Sequence, residues 1–276
     1  QMKHKFLLLL WMLCWGMGSS LQAQESDSLT KRDMRRIRNQ QKEKYFILGI
    51  GATYNRILDQ QMSGSNYYGA GGTFWWGRQV TTPKLMKSFH FFKGNVAGLF
   101  PPSLQSQVIM GMIESDVAYT YTLNTSEESP WTLRVGGFAS LFGNLRFNTS
   151  LGNSGLNYDI MLSVGPAFQA ERKFTIPLLE LPALLDYRFR VPLVAYLNRL
   201  PDYSLPYFGS PKGFFMPFGR QGRVVSDLGL ILPLRSGNLN RIRFAYTWDF
   251  YGYRESEIFV TRVASHALTI ALQVKL

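Results

Sequence analysis

Residues Arg241–Arg254 read RIRFAYTWDFYGYR, and this stretch decides the fold. Its even positions are Ile242, Phe244, Tyr246, Trp248 and Phe250, and its odd positions are Arg241, Arg243, Ala245, Thr247 and Asp249. Successive side chains of a β-strand point to opposite faces, so such a strand has one apolar face and one charged face. The C-terminal stretch repeats the rule, with Leu268, Ile270, Leu272, Val274 and Leu276 set against Thr269, Ala271, Gln273 and Lys275.

Working outward, the same period of two recurs along the chain. Phe46, Leu48, Ile50, Ala52 and Tyr54 alternate with Gly49, Gly51, Thr53 and Asn55. Leu133, Val135, Leu141, Leu145 and Phe147 alternate with Arg134, Ser140, Asn144 and Arg146. Tyr158, Ile160, Leu162 and Val164 oppose Asp159 and Ser163, and Leu228, Leu230, Leu232 and Leu234 oppose Asp227 and Gly229. Runs near Tyr67–Arg78 and Leu104–Leu123 fit, Lys87–Ala97 is ragged, and Pro192 weakens Asp186–Leu197 as a regular strand. The pattern predicts an all-β, antiparallel transmembrane barrel of about ten strands over residues 45–276, or twelve if Phe174–Leu185 adds a hairpin. The short stretch 235–240 is expected as a tight turn, and the Pro/Gly-rich stretch 199–221 as a long outer loop.

A secreted β-sandwich also alternates, but two features favour lipid. Apolar faces begin or end on aromatics, as from Tyr68 to Trp76 and from Tyr158 to Phe168. A tilted strand crosses a bilayer in about 9–11 residues between aromatic girdles. The opposite faces carry full charges, not Ser and Thr alone.

The N-terminus precedes this pattern with a different one. Lys3 and Lys5, the apolar run Phe6–Trp15 and the small or polar residues Gly16–Ala23 read as a signal peptide over residues 1–24, the apolar run being too short to span. The single cysteine, Cys14, follows the bulky Trp11, Met12 and Leu13, which argues against lipid attachment. N-terminal sequencing of the envelope protein is therefore expected to start near Gln24 or Glu25; recovery of an intact 2–23 segment would overturn this. Residues 25–44 form a basic leader, read as a flexible segment or a periplasmic docking arm.

The formal net charge of +12 is scattered through apolar-alternating runs, which fits an anionic lipid surface and not nucleic acid. The expected partners are membrane lipids and other envelope proteins, at the cell outer membrane. Only His4, His90 and His266 are histidines, and HExxH and GxSxG are both lacking, so neither a metal, a cofactor nor a serine-hydrolase elbow is expected. Ser265 and His266 are neighbours on one strand and so face opposite ways. The glycines at 49–51 and 69–72 lack the residues of a phosphate loop and are read as packing or lumen space.

Arg134, Arg146, Asp159, Asp227, Arg241, Arg243 and Asp249 fall on the inward face and are the candidate lumen site. Glu114, Asp116, Asp186, Arg188 and Arg190 share that side. A narrow barrel must neutralise its interior charges by pairing, so a salt-bridge network is the expected role, with a hydrolase using lumen acids or His266 as the alternative. The signal-like start, the alternating strands and the terminal HALTIALQVKL resemble bacterial outer-membrane β-barrel proteins over residues 45–276. The resemblance implies a small channel, a ligand-binding barrel or an envelope scaffold. The departure is the last residue, Leu276, where such proteins usually carry an aromatic.

Overall fold

The computed structural model describes residues 42–276 apart from 61–63, 104–105, 124–128, 151–154, 178–179, 200–211, 218–220, 235–238 and 255–259. The signal segment, the leader up to residue 41, most of the 235–240 turn and much of the 199–221 loop lie outside the described residues.

The strands are β1 (Glu43–Asp59), β2 (Asn66–Thr81), β3 (Leu85–Leu99), β4 (Val108–Thr122), β5 (Trp131–Asn148), β6 (Leu156–Ile176), β7 (Leu181–Arg190), β8 (Val194–Arg199), β9 (Lys212–Pro217), β10 (Gln221–Pro233), β11 (Arg241–Arg254) and β12 (Val260–Lys275). Each pairs antiparallel with its neighbour in the order β5-β4-β3-β2-β1-β12-β11-β10-β7-β6, and pairing of β5 with β6 closes the ring. Closure removes the sheet edges, whose unpaired backbone groups lipid could not satisfy.

The barrel has ten positions, with β8 and β9 as two additional segments. β7 pairs with the Ala167–Ile176 half of β6, and β8 with its Asp159–Val164 half. Between them Pro192 has no N–H to give, while Val191 and Leu193 still donate to Pro166 and Val164 at 3.3 and 2.9 Å. β7 and β8 are thus one strand line broken at a proline, and β10 and β9 pair alongside them. Two expectations are corrected. Phe174–Leu185 adds no strands but ends the β6–β7 hairpin, with Ile176 opposite Leu181. Lys212–Pro217, inside the stretch read as an outer loop, is strand, because it pairs with β8 and Met216, opposite Ala195, turns into the apolar interior. Glu43 and Lys44, placed with the leader, open β1.

The pairing fixes the tilt. One row of partners runs from Ile50 through Phe74, Gly94, Ile113 and Gly143 to Ile160 on β6. The other way it runs through Ile270, Phe244, Leu230 and Leu185 to Arg172, twelve residues further along the same strand. With ten positions, a strand spacing of about 4.8 Å and a rise of about 3.3 Å per residue, this offset gives a tilt of about 40°.

The two faces invert the usual rule for soluble proteins. Leu268, Ile50 and Ile270 point outward at 67%, 63% and 49% exposure, while Arg146, Asp186 and Asp59 are fully buried inside. The ragged β3 contains a bulge between His90 and Lys93, where Phe91 and Phe92 together oppose a regular partner strand. Below the bulge His90 and Ser88 line the interior, and above it Lys93 and Asn95 do.

Candidate functional site: the charged lumen

The inward residues form tiers from the loop end to the end that carries Glu43 and Lys275. In the loop-end tier, Arg146 lies 2.8 Å from Asp159 and 3.5 Å from Asp59, and Arg199 lies 3.8 Å from each acid. The Tyr253 and Tyr251 hydroxyls donate to Asp159 at 2.8 and 3.3 Å, and the Asn144 amide donates to the Tyr251 oxygen. Ile57, Leu99, Met110, Phe142, Met161 and Leu197 pack around this network and fill the upper lumen.

In the middle tier, Arg223 grips Asp249 with two donors at 2.9 and 3.2 Å and reaches Glu114 at 2.8 Å. Its guanidinium lies 4.4 Å from the centre of the Phe142 ring. Arg190 pairs with Asp116 at 2.9 Å, and His90 meets the same carboxylate at 3.0 Å. In the lower tier, Arg243 binds both Asp186 and Asp227, and Arg188 binds Asp186 at 2.9 Å. Arg188 also donates 3.1 Å to Gln79, tying β7 to β2 across the lumen. Arg134 pairs with Glu171 at 2.7 Å.

Six of the seven candidate residues are therefore inside and paired: Arg134, Arg146, Asp159, Asp227, Arg243 and Asp249. Arg241 shares their face but sits at the terminal-end mouth, 31% exposed, 3.4 Å from Glu43. Sequence reading missed Asp59, Arg199, Arg223 and the two tyrosines. Arg223 and Asp59 carry the inward parity of their strands and could have been found by extending the alternation; Arg199 lies past Pro192, where the alternation is interrupted.

A cavity of about 70 Å³ lies between the middle and lower tiers, lined by Trp75, His90, Lys93, Arg188, Arg190 and Asp227 among others. Two inward glycines make room for large side chains. A Cβ at Gly49 would meet the Trp75 indole at 2.4 Å, and one at Gly229 would meet the Arg243 guanidinium at 2.5 Å. His266 is on the other side of the wall, facing lipid, its Nδ1 2.6 Å from the Tyr246 hydroxyl. Ser265 faces inward, 3.4 Å from the Asn95 amide.

A closed antiparallel barrel with an apolar, aromatic-edged exterior and a charged interior is an outer-membrane β-barrel. Solved structures of that class are similar to it, one of them at the level of a shared fold. The Escherichia coli outer membrane protease OmpT superposes with a TM-score of 0.51 at 8% identity, covering 85% of this chain and 96% of its own. The translocator domain of the Neisseria meningitidis autotransporter NalP gives 0.44 at 8% identity, covering 99% and 96%. The β domain of the Bordetella autotransporter BrkA gives 0.30 at 10% identity, covering 85% and 99%. No family model and no curated protein sequence matches the chain.

Proposed function

We propose that the protein is a closed, non-enzymatic barrel that serves the outer membrane as an envelope scaffold. The observation that carries this reading is the filled lumen: the Asp59–Arg146–Asp159–Arg199 network and its apolar jacket occupy the loop half, and Arg188 bridges the lower half to Gln79. A small barrel of this girth fills its interior with side chains. Its working surfaces are then its ends, and the basic leader ahead of β1, residues 25–42, would meet other envelope proteins.

The small-channel and ligand-binding readings need the cavity to connect to an end. The hydrolase reading would rest on His90, which lines that cavity, and on its partner Asp116. Asp116 is also held by Arg190 at 2.9 Å, a second cation that ties up the carboxylate. The resemblance to a protease is one of fold at 8% identity and brings no catalytic residues with it.

Planar-bilayer recording tests the proposal. Folded protein is expected to give no steady ohmic conductance, while a variant with Arg188→Ala and Arg146→Ala gives flickering openings. Steady conductance from the unaltered chain would show an open passage and overturn the scaffold reading.

A further inference from the structure

Charge on this barrel is sorted by sign. Every carboxylate in the described strands belongs to the inward set, whereas the outward set carries only Lys and Arg. The outward cations form two belts. Lys44, Arg78, Lys87 and Arg172 lie toward the terminal end, and Arg56, Arg254 and Arg262 toward the loop end.

The loop-end belt is compact. Arg262 on β12 stands opposite Leu58 on β1 and Gly252 on β11. Arg56 and Arg254 are therefore its diagonal neighbours, one on each flanking strand, at about 7–8 Å. Arg56 is held in place by two donors to Asn66 Oδ1, at 3.2 and 3.1 Å, and by the Tyr68 ring 5.3 Å away. None of the three forms an ion pair with a described carboxylate.

Their height is also defined. Beneath them runs a lateral row of Tyr54, His266 and Trp248, paired across β1, β12 and β11. Such aromatics mark the interface of the apolar band. Arg56 and Arg262 each lie six residues beyond Ile50 and Leu268, the most exposed members of their stripes. At a rise of about 3.3 Å and a tilt of about 40°, that is about 15 Å, just past half of an apolar band about 25 Å tall. Three guanidinium groups side by side repel one another unless an anion lies among them, and among the described residues the strands supply none on their outer face.

We propose that Arg56, Arg254 and Arg262 form a site for the phosphate of a lipid headgroup in the leaflet at the loop end. The planar fork of arginine matches phosphate oxygens in pairs, and the aromatic row beneath offers a surface for the upper acyl chain and glycerol region. The source is lipid because the site faces sideways into the bilayer, not upward to the loops.

The test is native mass spectrometry of the folded, full-length barrel released from neutral detergent after incubation with phosphatidic acid or phosphatidylcholine. Heat-modifiable gel mobility verifies folding of each variant, and these outward side chains support no buried contact. The unaltered protein is expected to retain phosphatidic acid at least tenfold better than phosphatidylcholine. The triple variant R56Q/R254Q/R262Q should lose that preference, and R56K/R254K/R262K, which keeps the charge but not the fork, should keep part of it. Equal retention by the glutamine variant and the unaltered protein overturns the site. So does displacement of the lipid by inorganic phosphate at equal concentration, which would mark a free-anion site, and so does a loss carried instead by K44Q/R78Q.

Discussion

Replacing Asp159 with Ala is expected to destabilise the barrel by about 3–5 kcal/mol, the usual cost of leaving a buried partner uncompensated. Asp159 is 1% exposed and receives Arg146 at 2.8 Å, Arg199 at 3.8 Å and the Tyr253 hydroxyl at 2.8 Å. Its loss leaves two buried guanidinium groups sharing Asp59 inside an apolar jacket. The pair is not claimed to stabilise the fold relative to a well-packed apolar core, since desolvation offsets much of its attraction; the cost arises from breaking it. Asp159→Asn should fall between, because it keeps the shape and an acceptor for Tyr253 while removing the charge. At the mouth, Glu43→Ala breaks a pair exposed at 45% and 31% and a 3.3 Å hydrogen bond from the Tyr45 hydroxyl, and should cost no more than about 1 kcal/mol. Urea unfolding in lipid vesicles, followed by tryptophan fluorescence, measures all three. If Asp159→Ala proves as mild as Glu43→Ala, the network is not the buried, interdependent cluster described.

Much of this was legible in the sequence, for a physical reason. Lipid and lumen impose opposite chemistry on alternate residues, so the parity of RIRFAYTWDFYGYR alone placed Phe244 outward and Arg243 inward, where both are found. The same parity put Glu114, Asp116 and Asp249 inside. Parity fails where the backbone departs from the ladder. The bulge after His90 reverses the faces of β3, which is why Lys87–Ala97 looked ragged. The break at Pro192 hid Arg199, and the strand Lys212–Pro217 was hidden by its glycine and its closing proline. Which charge meets which was not legible. Arg146 reaches Asp59 from β5 to β1, and Arg188 reaches Gln79 from β7 to β2, because the tilt of the strands brings them level. That offset is a property of the closed ring, and no local pattern carries it. The same holds for the arginine belt, whose members are far apart in sequence and become neighbours only through the pairing of β1, β11 and β12.

Placing an arginine at Ile270 should damage assembly strongly, and placing one at Val274 on the same strand and face should not. Ile270 stands between Ile50 and Phe244, all three outward and apolar, with Leu268 and Tyr246 the next pair up. Val274 is four residues nearer the terminal end, opposite Phe46 and close to Lys44 and Lys275. The cost of an arginine facing lipid is about 2–4 kcal/mol at the midplane and about 0–1 kcal/mol at the interfaces, where the side chain can reach water. Ile270→Arg is therefore expected near the upper figure and Val274→Arg near the lower. Thr269→Ala, beside Ile270 but inward and only 8% exposed, changes the lumen and not the lipid face, and should be mild. Refolding into vesicles, scored by heat-modifiable gel mobility and urea midpoint, ranks the three. Equal damage from Ile270→Arg and Val274→Arg would mean that depth does not matter, and so that β12 does not cross a bilayer. Greater damage from Thr269→Ala than from Ile270→Arg would mean that the faces are reversed.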